Sequence, residues 1–227
     1  MSKRMAAAIW VAAVFFSGVQ PAQALGEAKP VKLLALGDST TAGTPDYRSP
    51  LEAPPAGEGN AESQYAYWIK KKHRSWTIIN HGIAGQRSDE IYERFKDEDG
   101  NFDGVIVLAG VNDLYQGYDV AYIETRLEAI YDLAVKKNMR VMACTIIPYN
   151  VSTSEVKTRM DEVNAWIRTH SAERGFLFCD TYAVVNDPQN PGNLADTRDR
   201  LHPTVKGYRK MGEAIEKVLT ESAAFSE

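Results

Sequence analysis

Only two cysteines occur in 227 residues, the formal charge is a modest −4, and beyond the first two dozen positions no long apolar run appears. Each shortage excludes something. Cys144 and Cys179 sit inside apolar runs, with no histidine at metal-ligand spacing, so neither a disulfide-stapled scaffold nor a structural zinc site is indicated. Both are expected to be buried free thiols, because adjacent strands seldom aim two side chains at each other with disulfide geometry. A charge this small gives no global attraction to nucleic acid or anionic lipid. The one basic cluster, Lys70-Lys71-Lys72-His73-Arg74, closes a helical pattern, where cations suit the helix dipole and solvent.

The first residues carry a different message. Lys3 and Arg4 precede the apolar run 5–19, and Ala22-Gln23-Ala24 supplies the small-residue pattern of a cleavage site. This reads as a secretory signal peptide over residues 1–24. The run is too short for a comfortable membrane span, an uncleaved anchor being the alternative, and no cysteine follows it to take a lipid. The expectation is an exported protein, secreted or periplasmic, whose residues 25–227 form one soluble domain around a single core.

Five short apolar runs recur in that stretch, at 31–36, 77–80, 105–108, 141–147 and 176–179. Between them, Ile123, Leu127, Ile130 and Ala134, and again Val156, Met160, Val163 and Ile167, fall at spacings of four and three that line one face of a helix. Tyr208, Met211, Ile215 and Leu219 mark a last helix, and weaker helical patterns cover 63–72 and 88–95. Strands alternating with helices predict a parallel sheet covered on both faces through right-handed crossovers. The segment 44–63, with Pro45, Pro50, Pro54, Pro55, Gly57 and Gly59, reads as a long loop. Following a candidate site residue directly, it is expected to form a pocket rim.

In such a sheet, ligands gather where the carboxyl ends of the strands open into loops, and the unusual polar residues fall there. The first strand empties through "LALGDSTTAG" into Ser39, which suits either a phosphate cradle or a nucleophile. Gly82 and Gly85 follow the second strand, Gly110, Asn112 and Asp113 the third, and Asp199 with His202 the fifth. A serine hydroxyl is a poor nucleophile until a base of near-neutral pKa takes its proton, so the histidines matter. His73 lies in the basic helix end, His170 within a helix, and His81 closes the second strand. His202 differs: in "DRLHPT", Asp199 stands three residues before it and Pro203 fixes the backbone after it. In a loop entering a helix, such a pair can share one side, letting the carboxylate orient the ring, as in a serine, histidine, aspartate triad. A helix N-cap region with both side chains exposed is the plain alternative. For the oxygen of a tetrahedral intermediate, "LAGVND" offers close backbone approach and the Asn112 amide, while "NHGIAGQRS" offers backbone N–H groups. Turn capping by Asn112 and a bend relieved by Gly85 are the plain readings there.

Gly37-Asp38-Ser39, Gly85 in "GIAGQRS", Gly110-Val111-Asn112-Asp113 and Asp199-Arg200-Leu201-His202 together resemble, in order and spacing, the marker blocks of the SGNH (GDSL) hydrolase family. The likeness spans nearly the whole stretch after the leader. It implies a flavodoxin-like three-layer α/β/α sandwich with a five-stranded parallel sheet. It also implies hydrolysis of esters or thioesters through an acyl-serine, with no cofactor and no metal. By that resemblance Ser39 is the nucleophile, His202 the general base and then acid, and Asp199 its orienter. The oxyanion donors would be the Ser39 N–H, the Gly85 N–H and the Asn112 side chain. Gly85 is preferred to Gly82 on its flanking pattern. Two positions depart from the family pattern: Thr40 stands where the family name has leucine, and Val111 where a second glycine is frequent, which would narrow the oxyanion loop.

Two other classes fit parts of the chain: a carbohydrate-binding protein on a decayed hydrolase scaffold, and a flavin-binding flavodoxin-like protein. The second explains "DSTTAG" but leaves "DRLH" and "GVND" without a role. The expected partner is a small-molecule or glycan-linked ester, with neither nucleic acid nor a lasting membrane span. Tyr47, Tyr65, Tyr67 and Trp68 are candidates for an acyl pocket or a sugar platform, with Tyr65 and Trp68 equally suited to a buried helix face. Asn150 in "NVS" is a glycosylation sequon in a host that uses it.

Overall fold

The computed structural model of the chain describes residues 30–222 and Phe225, so the expected leader at 1–24 lies outside the described residues. Its elements are β1 (Lys32–Gly37), the one-turn α1 (Ser39–Ala42), β2 (Tyr47–Arg48), β3 (Glu58–Gly59), α2 (Tyr65–Lys72), β4 (Thr77–Gly82), α3 (Ser88–Lys96) and β5 (Gly104–Leu108). They continue with α4 (Val111–Tyr115), α5 (Val120–Lys136), β6 (Arg140–Cys144), α6 (Ser154–Arg174), β7 (Leu177–Cys179), α7 (Thr181–Val185) and α8 (Val205–Glu221).

The five apolar runs pair into one sheet in the order β4-β1-β5-β6-β7, every neighbouring pair parallel. The central strands are nearly continuously apolar because alternate side chains enter two buried layers. Leu34 and Leu36 join Val105 and Val107 on one face, while Leu33 and Ala35 join Ile106 and Leu108 on the other. The first layer is closed by α3, α5 and α6 through Phe95, Ile123, Ile130 and Val163, and the second by α2 and α8 through Ile69, Tyr208, Met211 and Ile215. This is the three-layer α/β/α sandwich expected. Each fully buried Leu or Ile contributes about 1.5–3 kcal/mol, so a charge at Ile130 would detach α5. The caps agree with the pattern: Asp119 and Thr153 accept from the Tyr122 and Val156 N–H groups at the starts of α5 and α6, and Gly175 ends α6 in the left-handed region.

Two expectations change in detail. The run 141–147 leaves the sheet after Cys144, because its partner β7 is only three residues long. Ile146 is held instead by Asn164, whose amide accepts from its N–H at 2.7 Å and donates to its carbonyl at 2.9 Å. The segment 44–63 contains the two-residue antiparallel pair β2–β3 and a 3-10 turn at Ala61–Ser63. Cys144 and Cys179 are free, buried, and direct register partners on neighbouring strands. No helix among the described residues is long and apolar enough to cross a membrane.

Connections diverge to opposite sides of the sheet at β1 and β5, which makes the crevice beyond their carboxyl ends the topological switch point where such folds bind ligands. Ser39 follows β1, and Asn112 follows β5.

Candidate active site

β1 stops at Gly37 and the chain turns at once into α1, so Ser39 is the first residue of a helix. Asp38 caps that helix, its Oδ1 accepting from the Thr40 N–H at 2.9 Å. Helix starts leave their N–H groups without intrahelical acceptors, and the Ser39 N–H is one of these. Thr40, one of the two departures from the family pattern, is buried beneath Ser39 and also lines the cleft.

His202 arrives from the far end of the chain, on the loop leading into α8. Its Nε2 lies 2.9 Å from Ser39 Oγ, and its Nδ1 lies 2.6 Å from Asp199 Oδ2. Asp199 Oδ1 accepts in addition from the Leu201 and His202 N–H groups at 2.9 and 2.8 Å. Partial burial pushes the Asp199 carboxyl up, but the hydrogen bonds from the His202 ring and from these two N–H groups outweigh it and hold it at about 2. An ionised carboxylate only accepts, so Nδ1 carries a ring proton toward Asp199, and it is Nε2 that faces the hydroxyl. Arg200, between them, has a φ of 68°, a left-handed conformation that costs a non-glycine residue about 1–2 kcal/mol. Its N–H bonds to Thr197 Oγ1 at 3.0 Å, and a Thr197–Pro203 bridge closes the loop. The plain N-cap alternative does not describe this loop, since the residue capping α8 is Thr204.

The other histidines are engaged elsewhere. His73 stacks on Trp76 and pairs with Glu216, His81 pairs with Glu98, and His170 stacks on Trp166 inside an aromatic cluster.

The far wall separates the two glycines. A Cβ on Gly82 would come within 2.0 Å of the Ala42 nitrogen, whereas Gly85 has a φ of +80° and nothing within 4 Å of that position. Gly82 is thus a packing position, and Gly85 lines the open cleft. Asn112 Nδ2 donates to the Gln86 carbonyl at 2.9 Å, which orients the amide and leaves its second N–H for the cleft. Asp113 is fully buried and does not reach the cleft. Its carboxylate accepts from the Ser88 N–H at 2.9 Å and the Ser88 hydroxyl at 2.6 Å, anchoring the start of α3 to α4. Burial pushes the Asp113 carboxyl up, opposed by these Ser88 hydrogen bonds. Burial likewise raises the Asp38 carboxyl to about 7, against the pull of the Thr40 N–H.

Between these walls lies a cleft of about 250 Å³, with Ser39, Asn112 and His202 on its polar side and Val111, Ile147, Tyr149 and Leu201 on its apolar side. The expected rim, 44–63, touches it only through Thr44. The rest of that loop is a brace: Ser49 Oγ donates to the Gly82 carbonyl, Glu52 accepts from the Ala84 N–H at 2.8 Å, and Asp46 pairs with Arg198. Tyr47 and Tyr65 are buried, and Tyr67 and Trp68 pack with Glu62 and Lys71 away from the cleft. The cleft aromatics are Tyr149 and Tyr115, the latter 65% exposed, with ring centroids 6.2 Å apart. Their signal was positional: Tyr115 lies one turn beyond Asn112, and Tyr149 follows β6 at the same sheet edge. The Asn150 amide is engaged by the Leu194 backbone, its oxygen accepting at 2.7 Å and its nitrogen donating at 3.4 Å. Among the described residues, no group of three or more His, Cys, Asp or Glu is arranged to hold a metal ion.

Ser39, His202 and Asp199 thus form one hydrogen-bonded row at the carboxyl edge of a parallel sheet covered on both faces, in a three-layer α/β/α protein. Residues 35–210 match the model of the GDSL-like lipase/acylhydrolase family, and the chain belongs to that family. It is accordingly an ester hydrolase. No curated protein matches its sequence. Among solved structures it is similar to a member of the lipolytic G-D-S-L family from Veillonella parvula, at 18% identity over 85% of this chain and 100% of that one, TM-score 0.70. It is also similar to an acetylxylan esterase from Geobacillus stearothermophilus, at 22% identity over 83% and 94%, TM-score 0.66. A GDSL-like lipase from Bacteroides thetaiotaomicron follows, at 20% identity over 82% and 86%, TM-score 0.65. At these identities the likeness establishes the shared fold.

Proposed function

We propose that Ser39 attacks the carbonyl of a carboxylic ester bearing a short acyl group, with His202 as base and Asp199 as its orienter. The observation that carries this reading is the 2.9 Å contact between His202 Nε2 and Ser39 Oγ, backed by the 2.6 Å contact to Asp199. As the Ser39 Oγ–carbon bond forms, the hydroxyl proton passes to Nε2. The developing oxyanion is met by the Ser39 and Gly85 N–H groups and the Asn112 amide. His202 returns the proton to the leaving alkoxide, the alcohol departs, and an acyl-serine remains. Water, activated by the same imidazole, then releases the acid and restores the hydroxyl.

The cleft supports a short acyl chain, since about 250 Å³ falls below the roughly 300–1,000 Å³ typical of clefts for drug-sized ligands. The exposed face of Tyr115 supports an alcohol moiety that stacks, such as a sugar. The pattern in residues 1–24 supports action outside the cytoplasm, in a secreted or periplasmic setting. A panel of p-nitrophenyl esters beside acetylated sugars tests the reading: acetate and butyrate esters should be cleaved and palmitate spared. Ser39→Ala should remove about six orders of magnitude from kcat, and near-normal turnover in that variant would refute the assignment.

A further inference from the structure

Ser39, Gly85 and Asn112 come from three segments that follow β1, β4 and β5. Strand pairing aligns these segments only as far as Gly37, Gly82 and Leu108, and the donors lie several residues further on. Three hydrogen-bonded links hold the Gly85 loop to α4 and its C-cap: Asn112 Nδ2 to the Gln86 carbonyl, Asp113 to Ser88, and Arg87 Nη1 to Gln116 Oε1. None reaches the nucleophile's strand. That connection is made by Arg94 of α3, whose Nη2 donates to the Gly37 carbonyl at 2.7 Å and whose Nε donates to Gln86 Oε1 at 2.6 Å. The one backbone bond between the same segments, Ile83 N–H to the Gly37 carbonyl, is longer at 3.3 Å.

We propose that Arg94 is a positioning residue for ester hydrolysis: its guanidinium locks the Ser39 turn to Gln86, and through Gln86 to Gly85 and Asn112, so that nucleophile and oxyanion donors hold one geometry. This rests on the roles given to Ser39, Gly85 and Asn112 above. Nε and Nη2 form one edge of a planar fork with two fixed donor directions, and here the two acceptors belong to different segments. A lysine ammonium, a point charge on a flexible stem, cannot hold both in register. Gln86 is gripped at both ends, its side chain by Arg94 and its carbonyl by Asn112, so the row Gly37, Arg94, Gln86, Asn112 is continuous. The guanidinium sits largely out of water near the Asp38 and Glu98 carboxylates. Burial lowers it to about 10, against the pull of those two acids, so it stays a cation at neutral pH. Arg94 touches no reacting atom; it acts by keeping the donors where charge develops.

The experiment is steady-state kinetics of the full chain on p-nitrophenyl butyrate, with circular dichroism and thermal melts of each variant. Arg94→Lys should lose about a hundredfold in kcat with KM nearly constant, the cost of a small misplacement at the reacting centre. Gln86→Ala, which removes only the linking amide, should lose about tenfold with the same split. Added guanidinium should restore part of kcat to Arg94→Ala, and added ammonium should not. A folded Arg94→Lys with kcat within about threefold of the parent, or a loss that falls wholly in KM, overturns the proposal. If the Arg94 variants fail to fold, Gln86→Ala decides, and an unchanged kcat there overturns it as well. A parent chain inert toward every ester would instead overturn the functional reading itself, whatever Arg94 does.

Discussion

Asp199, paired with the imidazole that faces Ser39, and Asp38, the residue just before Ser39, are driven in opposite directions. Asp199 lies in a half-open loop, accepts from four donors within three residues of itself, and is held at about 2. Asp38 is buried, has a single backbone donor at 2.9 Å, and is raised to about 7. One residue type thus does two jobs, sorted by donors and water rather than by identity. Around Asp199 the chain folds on itself, so the contact between acid and imidazole spans only three positions. Around Asp38 only the Thr40 N–H is local: the charged groups that act on it, Arg94 and Asp113, come from α3 and α4, and the Gly85–Asn112 wall exists only once the sheet and α3 are in register. The Asp199–His202 pair therefore depends on one loop, and the Gly85–Asn112 wall on the packed core.

The sharpest break of that contrast is Asp199→Asn. It keeps the size of the side chain but removes the charge that fixes the ring proton on Nδ1, so kcat should fall about ten-thousandfold on short esters. If kcat fell less than about tenfold, Asp199 would be a loop brace and not the orienter of His202. Next in size is Asn112→Ala, which takes one donor from the oxyanion side. It should cost about a hundredfold to a thousandfold in kcat with little change in KM, and unchanged turnover would remove Asn112 from the donor set.

The same division decides what could be read from the residues alone. Asp199 and His202 were legible because their contact spans three positions. The central strands β1, β5 and β6 were legible because burial on both faces leaves nearly unbroken apolar runs, the edge strands β4 and β7 being shorter apolar stretches that are half-buried. The helix faces at Ile123 to Ala134 and Val156 to Ile167 followed from spacing in the same way. Arg94 and Gln86 were invisible: the bond from Arg94 to Gly37 crosses 57 positions, and a cation on an amphipathic helix reads as solvent-facing. The cleft aromatics were misplaced for a related reason. Proline and glycine marked 44–63 as an irregular loop, but only the folded chain shows that it turns its polar groups inward as a brace and leaves the pocket wall to Tyr115 and Tyr149.

The smallest effect tests the two aspartates by sign. The ordinary Asp carboxyl titrates at 3.8, and folded Asp38 at about 7. Between those values the folded chain keeps a proton that the unfolded chain has released, so stability contributed at this position falls as pH rises through that window. For Asp199 the order is reversed: its stabilisation is present above 3.8 and is lost only as pH falls toward about 2. Asp38→Asn keeps an oxygen to accept from the Thr40 N–H but cannot ionise. Relative to the parent it should gain roughly 2 kcal/mol between pH 5 and pH 7 in urea melts, whereas Asp199→Asn should show no such gain over that interval. Parallel slopes for Asp38→Asn and the parent would mean that the buried carboxyl is ionised throughout, with Arg94 fully compensating it, and the two sides of Ser39 would then differ in packing but not in charge.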